Sequence, residues 1–121
     1  MNATVQTDLH DINVVHVSST PNPGYTRFDV SRRGTLGLGN PYAMKSEADR
    51  DYVIDRFRQT LWFNWIHGAF MTPEHDSLIQ ILYAARRGPV ELACYCAPKS
   101  CHADIIKNCI VWMNTQELYS E

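Results

Sequence analysis

The chain lacks an apolar run approaching the roughly 20 residues that a membrane-spanning helix needs. It also lacks a basic excess, since 11 Lys and Arg stand against 13 Asp and Glu for a formal net charge of −2. The first eleven residues do not combine basic and apolar segments as an export signal does. We therefore expect a cytoplasmic protein with no membrane partner. Nucleic acid is not favoured as a partner by the net charge, although a local basic patch leaves it open.

The composition is that of an ordinary folded protein. Apolar residues make up 45% of the 121 residues, and three Trp, six Tyr and four Phe supply large side chains for a core. This length suits one domain, and no internal repeat divides it. We predict a single α/β domain over residues 1–121, with a core at about 12–114 and flexible ends.

Three of the four cysteines lie in one segment, residues 92–104, with the sequence L-A-C-Y-C-A-P-K-S-C-H-A-D. Four cysteines are enough for two disulfides in a secreted protein. Without an export signal, reduced thiols or a metal site are the expected states. This segment therefore becomes the first place to look for chemistry.

The same segment predicts a strand, a tight loop and the start of a helix. Residues 90–95 form an apolar run typical of a strand buried on both faces, and Pro98 ends it. Ser100 or Cys101 begins a helix, because Asp104 lies in its first turn and apolar residues follow at helical spacing. Open α/β sheets bind ligands where a strand leads into a helix N-terminus, since free N–H groups and the helix dipole favour an anion there.

The remaining segments alternate between strand and helix patterns. In chain order they predict a strand at 12–17, a short strand at 26–30, a glycine loop at 31–41, a helix from Ser46 to just before Gly68, and a helix from Thr72 to Arg87. One face of the first helix carries Val53, Phe57, Leu61 and Trp65. Strands separated by helices favour parallel pairing. We therefore predict a small Rossmann-like α/β domain, with a mostly parallel sheet and flanking helices.

The glycine loop, S-R-R-G-T-L-G-L-G-N-P, is the second feature of interest. It is neither a dinucleotide-binding nor a Walker-type loop, because the final glycine spacing and the Gly-Lys-Ser/Thr sequence are absent. Its paired arginines suit phosphate or carboxylate, which guanidinium groups bind through paired N–H donors.

Both motifs are expected at the carboxyl edge of the sheet, where they would enclose one anion pocket. We therefore predict a protein that binds, and sequesters or processes, a nucleotide or nucleotide-derived anion. The predicted ligand-binding residues are Arg32, Arg33, Gly34, Gly39, Asn40, Pro41, Lys99, Ser100, Cys101 and His102.

The cysteines leave three interpretations open. No cofactor is expected, but Cys94, Cys96, Cys101 and His102 are chemically suitable zinc ligands, although their spacing is unlike that of structural zinc sites. A thiol- or zinc-dependent enzyme acting on nucleotides or nucleic acid would use Cys101, His102 and Asp104 as its catalytic residues. In the third interpretation the thiols are buried core groups that support the loop.

Segments 39–42 (G-N-P-Y), 50–58 and 92–104 together resemble the domain of unknown function 4326 family of phage and bacterial proteins, over about residues 12–112. That family combines an arginine-containing glycine loop, a W-G-N-P-F-like turn and a C-W-C-x-P-x-x-C-H-G-D ending. The matching positions are Arg33, Gly39, Asn40, Pro41, Tyr42, Cys94, Cys96, Pro98, Cys101, His102 and Asp104. Leu38 replaces the usual aromatic residue, and Ala103 replaces the usual glycine.

The ending is also distantly similar to the domain of unknown function 488 family, which implies a Rossmann-like sheet. Neither resemblance implies a reaction. The first implies a phage or prophage setting and, if phage-encoded, a location in the host cytoplasm. A protein that inhibits a host protein by direct contact is therefore a further alternative. Trp62, Phe63 and Phe70 would serve such an interface or a homo-oligomer.

Overall fold

Three parallel strands form the sheet of the structure, a computed structural model that describes residues 8–68, 71–97 and 99–121. They are β1 (Ile12–His16), β2 (Thr26–Asp29) and β3 (Val90–Cys94), in the spatial order β1-β3-β2. Both β1 and β2 pair in parallel with β3. The predicted Rossmann-like α/β fold with a parallel sheet is confirmed.

Each strand ends one residue earlier than the sequence pattern predicts. The hydrogen-bond ladder nevertheless reaches the next residue, because Val17 N–H donates to the Cys94 carbonyl and Val30 N–H to the Ala93 carbonyl. Two predicted features lie outside the described residues. They are the end of a strand at Pro98 and the role of Phe70 in an interface.

Three α-helices pack against the sheet. They are α1 (Arg50–Gln59), α2 (Pro73–Arg87) and α3 (His102–Met113). A 3₁₀ turn at Glu47–Asp49 precedes α1, and a π-helical segment at Thr60–Ile66 continues it, so the single predicted helix is built from three kinds of turn. The four apolar residues of its predicted face, Val53, Phe57, Leu61 and Trp65, are all buried.

The second helix begins and ends as its sequence predicts. Thr72 caps it, because its side-chain oxygen accepts a hydrogen bond from His75 N–H at 3.0 Å, and Pro73 occupies the first helical position. Gly88 follows the last residue in an extended conformation.

Among the three described ranges, no helix combines the length and apolar character needed to cross a membrane.

The core extends beyond residue 114, where the sequence predicted its limit. Residues Glu117–Tyr119 form a 3₁₀ turn, and the Tyr119 side chain is buried. Its hydroxyl lies 2.7 Å from His75 Nε2, and Arg86 donates to the Tyr119 carbonyl. The sequence predicted a flexible end here because the segment is mostly polar, but its one aromatic residue, Tyr119, attaches it to α2.

The central strand β3 is buried along its whole length and separates two different environments. Val90, Leu92 and Cys94 belong to the helix-covered core. Glu91 points to the opposite face, because successive side chains of a strand alternate. Its carboxylate is fully buried and accepts hydrogen bonds from Arg27 Nε at 3.0 Å and from the Asn22 side chain.

The Glu91 carboxylate gives a stability prediction. Arg27→Ala would leave a buried carboxylate without its cation, so we expect the free energy of unfolding to fall by about 3–5 kcal/mol. The matched control is Arg58→Ala, which removes an exposed pair with Asp55 and should cost less than about 1 kcal/mol. Urea unfolding followed by circular dichroism measures both. Equal losses in the two variants would contradict the assignment.

Candidate functional site

The parallel pairing brings the carboxyl ends of all three strands to one edge of the sheet, where His16 and Cys94 are register partners and Asp29 pairs with Ala93. A cavity of about 290 Å³ lies beside this edge. Its lining residues come from the loop after β2, the first turns of α1, the segment after β3 and the start of α3. They are Ser31, Arg32, Arg33, Asn40, Tyr42, Met44, Arg50, Val53, Ile54, Tyr95, Cys96 and His102.

The cavity has both apolar and cationic walls. Val53 and Ile54 of α1 and Met44 supply aliphatic surface, and the two tyrosines supply aromatic surface. Three arginines supply positive charge. The volume is near the lower limit of the range for small-molecule pockets, so the cavity suits a compact ligand with one apolar and one anionic part.

Arg32 holds the loop that frames the cavity. Its Nε donates to the Asn40 carbonyl at 2.5 Å, and its Nη2 donates to the Tyr42 carbonyl at 3.0 Å. Part of its hydrogen-bonding capacity is therefore committed to the protein. Its charge still contributes to the potential of the cavity, because Arg32 is one of the lining residues.

Arg33 is the uncommitted cation of the site. Its guanidinium carbon lies 5.8 Å from the centre of the Tyr95 ring, and no hydrogen bond or ion pair joins the guanidinium to another residue in the part of the chain described. Tyr95 is itself 52% exposed. The Arg33 guanidinium thus lies over one face of the Tyr95 ring, and its N–H donors remain available to a ligand.

Arg50, in the first turn of α1, is the third arginine that lines the cavity. It forms a two-pronged pair with Glu47, with N–O distances of 2.9 and 2.8 Å, and donates to the Ser100 carbonyl at 2.9 Å. The pKa of Glu47 falls to about 2 through hydrogen bonds from Arg50 and then Lys99, whose Nζ lies 3.2 Å away. Hydrogen bonding, first to Glu47 and then to Cys96, raises the pKa of Arg50.

Asn40 connects the glycine loop to α1. Its amide nitrogen donates to the Val53 carbonyl at 3.0 Å, and its amide oxygen accepts from Tyr42 N–H at 2.9 Å. The Tyr42 hydroxyl in turn lies 2.9 Å from Thr60 Oγ1. Asn40 therefore shapes the cavity by fixing the chain on either side of it.

His102 contributes a hydrogen-bond acceptor to the cavity. Its Nε2 lies 2.6 Å from the Val30 carbonyl oxygen, which can only accept, so Nε2 carries the proton and Nδ1 carries the lone pair. Nδ1 has no hydrogen-bond partner among the described residues, and no fully buried side-chain nitrogen or oxygen among them lacks one. Nδ1 must therefore remain accessible from the cavity that His102 lines. Burial lowers the pKa of His102, so the ring is neutral at pH 7.

The glycines act by letting backbones approach closely. A Cβ on Gly34 would overlap the Asp29 carbonyl, and a Cβ on Gly39 would lie 2.5 Å from the Arg32 Cα. Neither glycine lines the cavity, and neither does Pro41. Their contribution is to fold the loop so that Arg32 and Asn40 can meet.

Cys101, rather than Ser100, is the N-cap of α3. Its sulfur accepts from Ala103 N–H at 3.4 Å, while the Asp104 carboxylate accepts from Cys101 N–H at 3.0 Å. These bonds form a capping box. They occupy N–H groups that the sequence had left free for an anion. Cys101 itself is buried and does not line the cavity.

The three predicted catalytic residues are close in sequence but have separate partners. The Cys101 sulfur lies 3.0 Å from the Cys94 sulfur, the His102 ring bonds to Val30, and the Asp104 carboxylate caps the helix. No hydrogen bond joins the Cys101 thiol to the His102 ring, so the structure does not bring them together as a nucleophile and base.

The four residues considered as zinc ligands do not form a metal site. Within the residues that the structure describes, no group of three or more His, Cys, Asp or Glu side chains could hold a metal ion. Three of the four side chains have partners within the protein: the Cys94 and Cys101 sulfurs contact each other, and the His102 ring bonds to the Val30 carbonyl.

Among the predicted ligand-binding residues, Arg32, Arg33, Asn40 and His102 line the cavity. Lys99 and Ser100 do not line it; Lys99 contacts Glu47, and the Ser100 carbonyl accepts from Arg50. Sequence reasoning assigned no binding role to Arg50 or Tyr95. Arg50 could have been found from helical spacing, because it precedes Val53 and Ile54 by one turn on the same face.

Two positions at which the sequence departs from the pattern that it resembles are both buried. Leu38 is fully buried in the core and therefore takes no part in a stacking surface. Ala103 is also fully buried, on the first turn of α3. The cavity is therefore formed without either side chain.

The aromatic residues proposed for a protein interface have different environments. Trp62 packs edge-on against Trp112, with ring centres 5.1 Å apart, whereas Phe63 is 69% exposed. Phe70 lies outside the described residues. Inhibition of a host protein by contact through this surface stays a prediction.

Comparison with known proteins gives one match. A family model described as a domain of unknown function (DUF4326) matches residues 13–112, from β1 to the last turn of α3. No curated protein and no solved structure matches the chain. The matched region contains every residue that lines the cavity.

The buried histidines predict a loss of stability in mild acid. Burial lowers the pKa of both His102 and His75 below the value of about 6.5 that an unfolded chain has. Below that pH the unfolded chain binds more protons than the folded one, so the free energy of unfolding should fall as the pH drops from about 6.5 towards 5.

Urea midpoints measured at several pH values test this expectation. His102→Gln keeps a donor for the Val30 carbonyl and removes the titration, so its stability should depend less on pH in this range. The control, His10→Gln, replaces an exposed residue and should retain the dependence of the parent. A parent protein with constant stability between about pH 7 and 5 would contradict the prediction.

Proposed function

The chain belongs to the domain of unknown function 4326 family over residues 13–112, and from its cavity we propose that it binds a nucleotide or a nucleotide-derived anion. The observation that carries this proposal is the contact of Arg33, a cation with free hydrogen-bond donors, with the half-exposed ring of Tyr95 in the lining of the cavity.

The cationic wall supports recognition of a phosphate. Arg33 has all of its guanidinium donors available, whereas Arg32 and Arg50 are fixed by the protein and add charge. A guanidinium group binds phosphate through two parallel N–H bonds. An anion beside Arg33 would therefore be both oriented and neutralised.

The remaining walls support recognition of a base. The Tyr95 ring offers a stacking face, and His102 Nδ1 offers an acceptor for an exocyclic amino or ring N–H group. The aliphatic surface of Val53 and Ile54 suits the faces of a heterocycle. The limited volume favours a mononucleotide over a dinucleotide.

The proposal covers two outcomes for the ligand. In a phage setting, as the family resemblance implies, a protein that binds a nucleotide signal without altering it would sequester it from the host. A protein that alters its ligand would process it. The two outcomes differ only in turnover, and the same cavity serves both.

Isothermal titration with the four ribonucleoside 5′-monophosphates tests the proposal, with the corresponding nucleosides and inorganic phosphate as comparisons. We expect at least one monophosphate to bind more tightly than its nucleoside. Arg33→Ala should weaken that binding by roughly 10- to 100-fold, the effect of losing charge-assisted hydrogen bonds. The matched control is Arg58→Ala, an exposed arginine of α1 that does not line the cavity.

Mass spectrometry of small molecules released from the denatured, freshly purified protein extends the test beyond these probes. A released nucleotide derivative that rebinds the parent but not Arg33→Ala would support the proposal. If no monophosphate binds and no anionic nucleotide derivative is released, the proposal fails. It also fails if folded Arg33→Ala binds every such ligand as the parent does.

A thiol-dependent reaction on the bound ligand is the second candidate, and the position of Cys96 favours it. Cys96 lines the cavity, whereas Cys101 is buried and does not line it. In a hydrolysis, the Cys96 sulfur would attack an electrophilic carbon or phosphorus as its thiol proton leaves, and the leaving group would depart with the bonding electron pair and take up that proton. Water would then cleave the covalent intermediate and restore the thiol.

Incubation of the protein with each bound ligand, followed by chromatography, distinguishes turnover from binding. The enzyme candidate predicts product formation that Cys96→Ser abolishes while binding is retained, and Cys109→Ser, a buried core thiol, leaves unchanged. Turnover that persists in Cys96→Ser would assign the reaction to other groups. The absence of product with a tightly bound ligand would favour sequestration.

A further inference from the structure

Two free thiols meet where β3 ends and α3 begins. The Cys94 and Cys101 sulfurs are 3.0 Å apart, and both side chains are buried. A disulfide bond is about 2.05 Å long, so the sulfurs would need to approach by only about 1 Å. The elements that carry them, the last residue of a central strand and the N-cap of a helix, hold them in contact.

The surroundings of this pair favour one ionised sulfur. The Cys94 and Cys101 sulfurs lie within hydrogen-bond distance of each other, and the backbone N–H groups of Cys96 and Ala97 favour negative charge on Cys94. Hydrogen bonding to Cys101, followed by the two backbone N–H groups, lowers the pKa of Cys94 against the opposing effect of burial. The same hydrogen bond, together with burial, raises the pKa of Cys101, which remains the protonated partner.

We propose that Cys94 and Cys101 are a reversible oxidation site, which forms an intramolecular disulfide with peroxide and returns to two thiols with a thiol reductant. This inference is independent of the proposed ligand. It concerns thiols that neither line the cavity nor take part in the reaction considered for Cys96.

The chemistry needs one two-electron oxidant. The Cys94 thiolate attacks one oxygen of hydrogen peroxide, and the O–O bond breaks to give a sulfenic acid and hydroxide, which takes up a proton to become water. The Cys101 sulfur then attacks the Cys94 sulfur, and the S–O bond breaks. The hydroxyl group leaves with the Cys101 proton as a second water. Two thiols and one peroxide thus become one disulfide and two waters.

Burial sets the access of the oxidant. Both sulfurs are buried, but the neighbouring described residues Tyr95, Cys96, Ala97, Lys99 and Ser100 are exposed or partly exposed. A small peroxide reaches the pair through local opening of the structure around it. In a reducing compartment the bond would be transient, as redox-sensing disulfides are.

The bond would also change the cap of the helix that begins with the cavity residue His102. In the reduced protein, the Cys101 sulfur accepts Ala103 N–H as part of the helix cap. Forming the bond would draw this sulfur about 1 Å towards Cys94. Oxidation would therefore join β3 covalently to the cap of α3, immediately before His102.

Peptide mapping of the full-length protein tests the proposal. The protein is treated with hydrogen peroxide, its remaining thiols are alkylated under denaturing conditions, and it is digested with trypsin without reduction. Cleavage after Lys99 separates the two cysteines, so the disulfide appears as a link between peptides 88–99 and 100–107. We expect this link, with Cys96 alkylated, and its loss on reduction with dithiothreitol.

Variants and a second route make each outcome decisive. Cys94→Ser and Cys101→Ser should abolish the link, whereas Cys96→Ser and Cys109→Ser should retain it. Refolding of the parent in a mixture of reduced and oxidised glutathione gives every thiol access to an oxidant. Near-ultraviolet circular dichroism then reports whether the oxidised protein has the native fold. A link through Cys96 or Cys109, or no Cys94–Cys101 link by either route, overturns the proposal. A link that forms only with loss of the native fold also overturns it.

Discussion

The arrangement of the site depends on the pairing of β3 with both other strands. Because β1 and β2 each run parallel to β3, three chain segments leave the sheet at the same edge. Backbone ladders on both sides commit the N–H and C=O groups of β3, and its side chains are buried on both faces. With the strand fixed in this way, the positions of Tyr95, Cys96 and His102 follow from a few residues of chain.

The loop after β2 reaches the same edge through contacts among its own residues. Gly39 allows the Arg32 backbone to approach, the Arg32 side chain bonds to the carbonyls of residues 40 and 42, and Asn40 attaches the loop to α1. These groups satisfy one another, which is why so many of the loop's polar residues shape the cavity without needing a ligand. The cost of ordering a glycine-rich loop is thus met within the protein, and a ligand would find the site already formed.

Much of this arrangement could be predicted from the sequence, because it follows from local patterns. The parallel sheet, the buried face of α1 and the cap of α2 each depend on residues within one or two turns of each other. The approach of the glycine loop to the last helix could also be predicted, since parallel strands place both at one edge.

The separate roles of Arg32 and Arg33 could not be predicted, because they depend on which carbonyls the folded loop presents to each side chain. Likewise, sequence order suggested that Cys101 and His102 act together, whereas the cap geometry turns the sulfur towards Cys94 and the ring towards Val30.

The division between committed and uncommitted groups distinguishes a binding surface from the structure that supports it. Asn40, Asp104 and Cys101 have their hydrogen bonds within the protein, so replacing them would change the shape of the cavity before it changed any contact with a ligand. The Arg33 guanidinium and the lone pair of His102 Nδ1 have no such partner among the described residues. One offers donors with a positive charge and the other offers a neutral acceptor. An anion alone would use only the first, whereas a ligand that carries a phosphate on one part and an N–H group on another would use both.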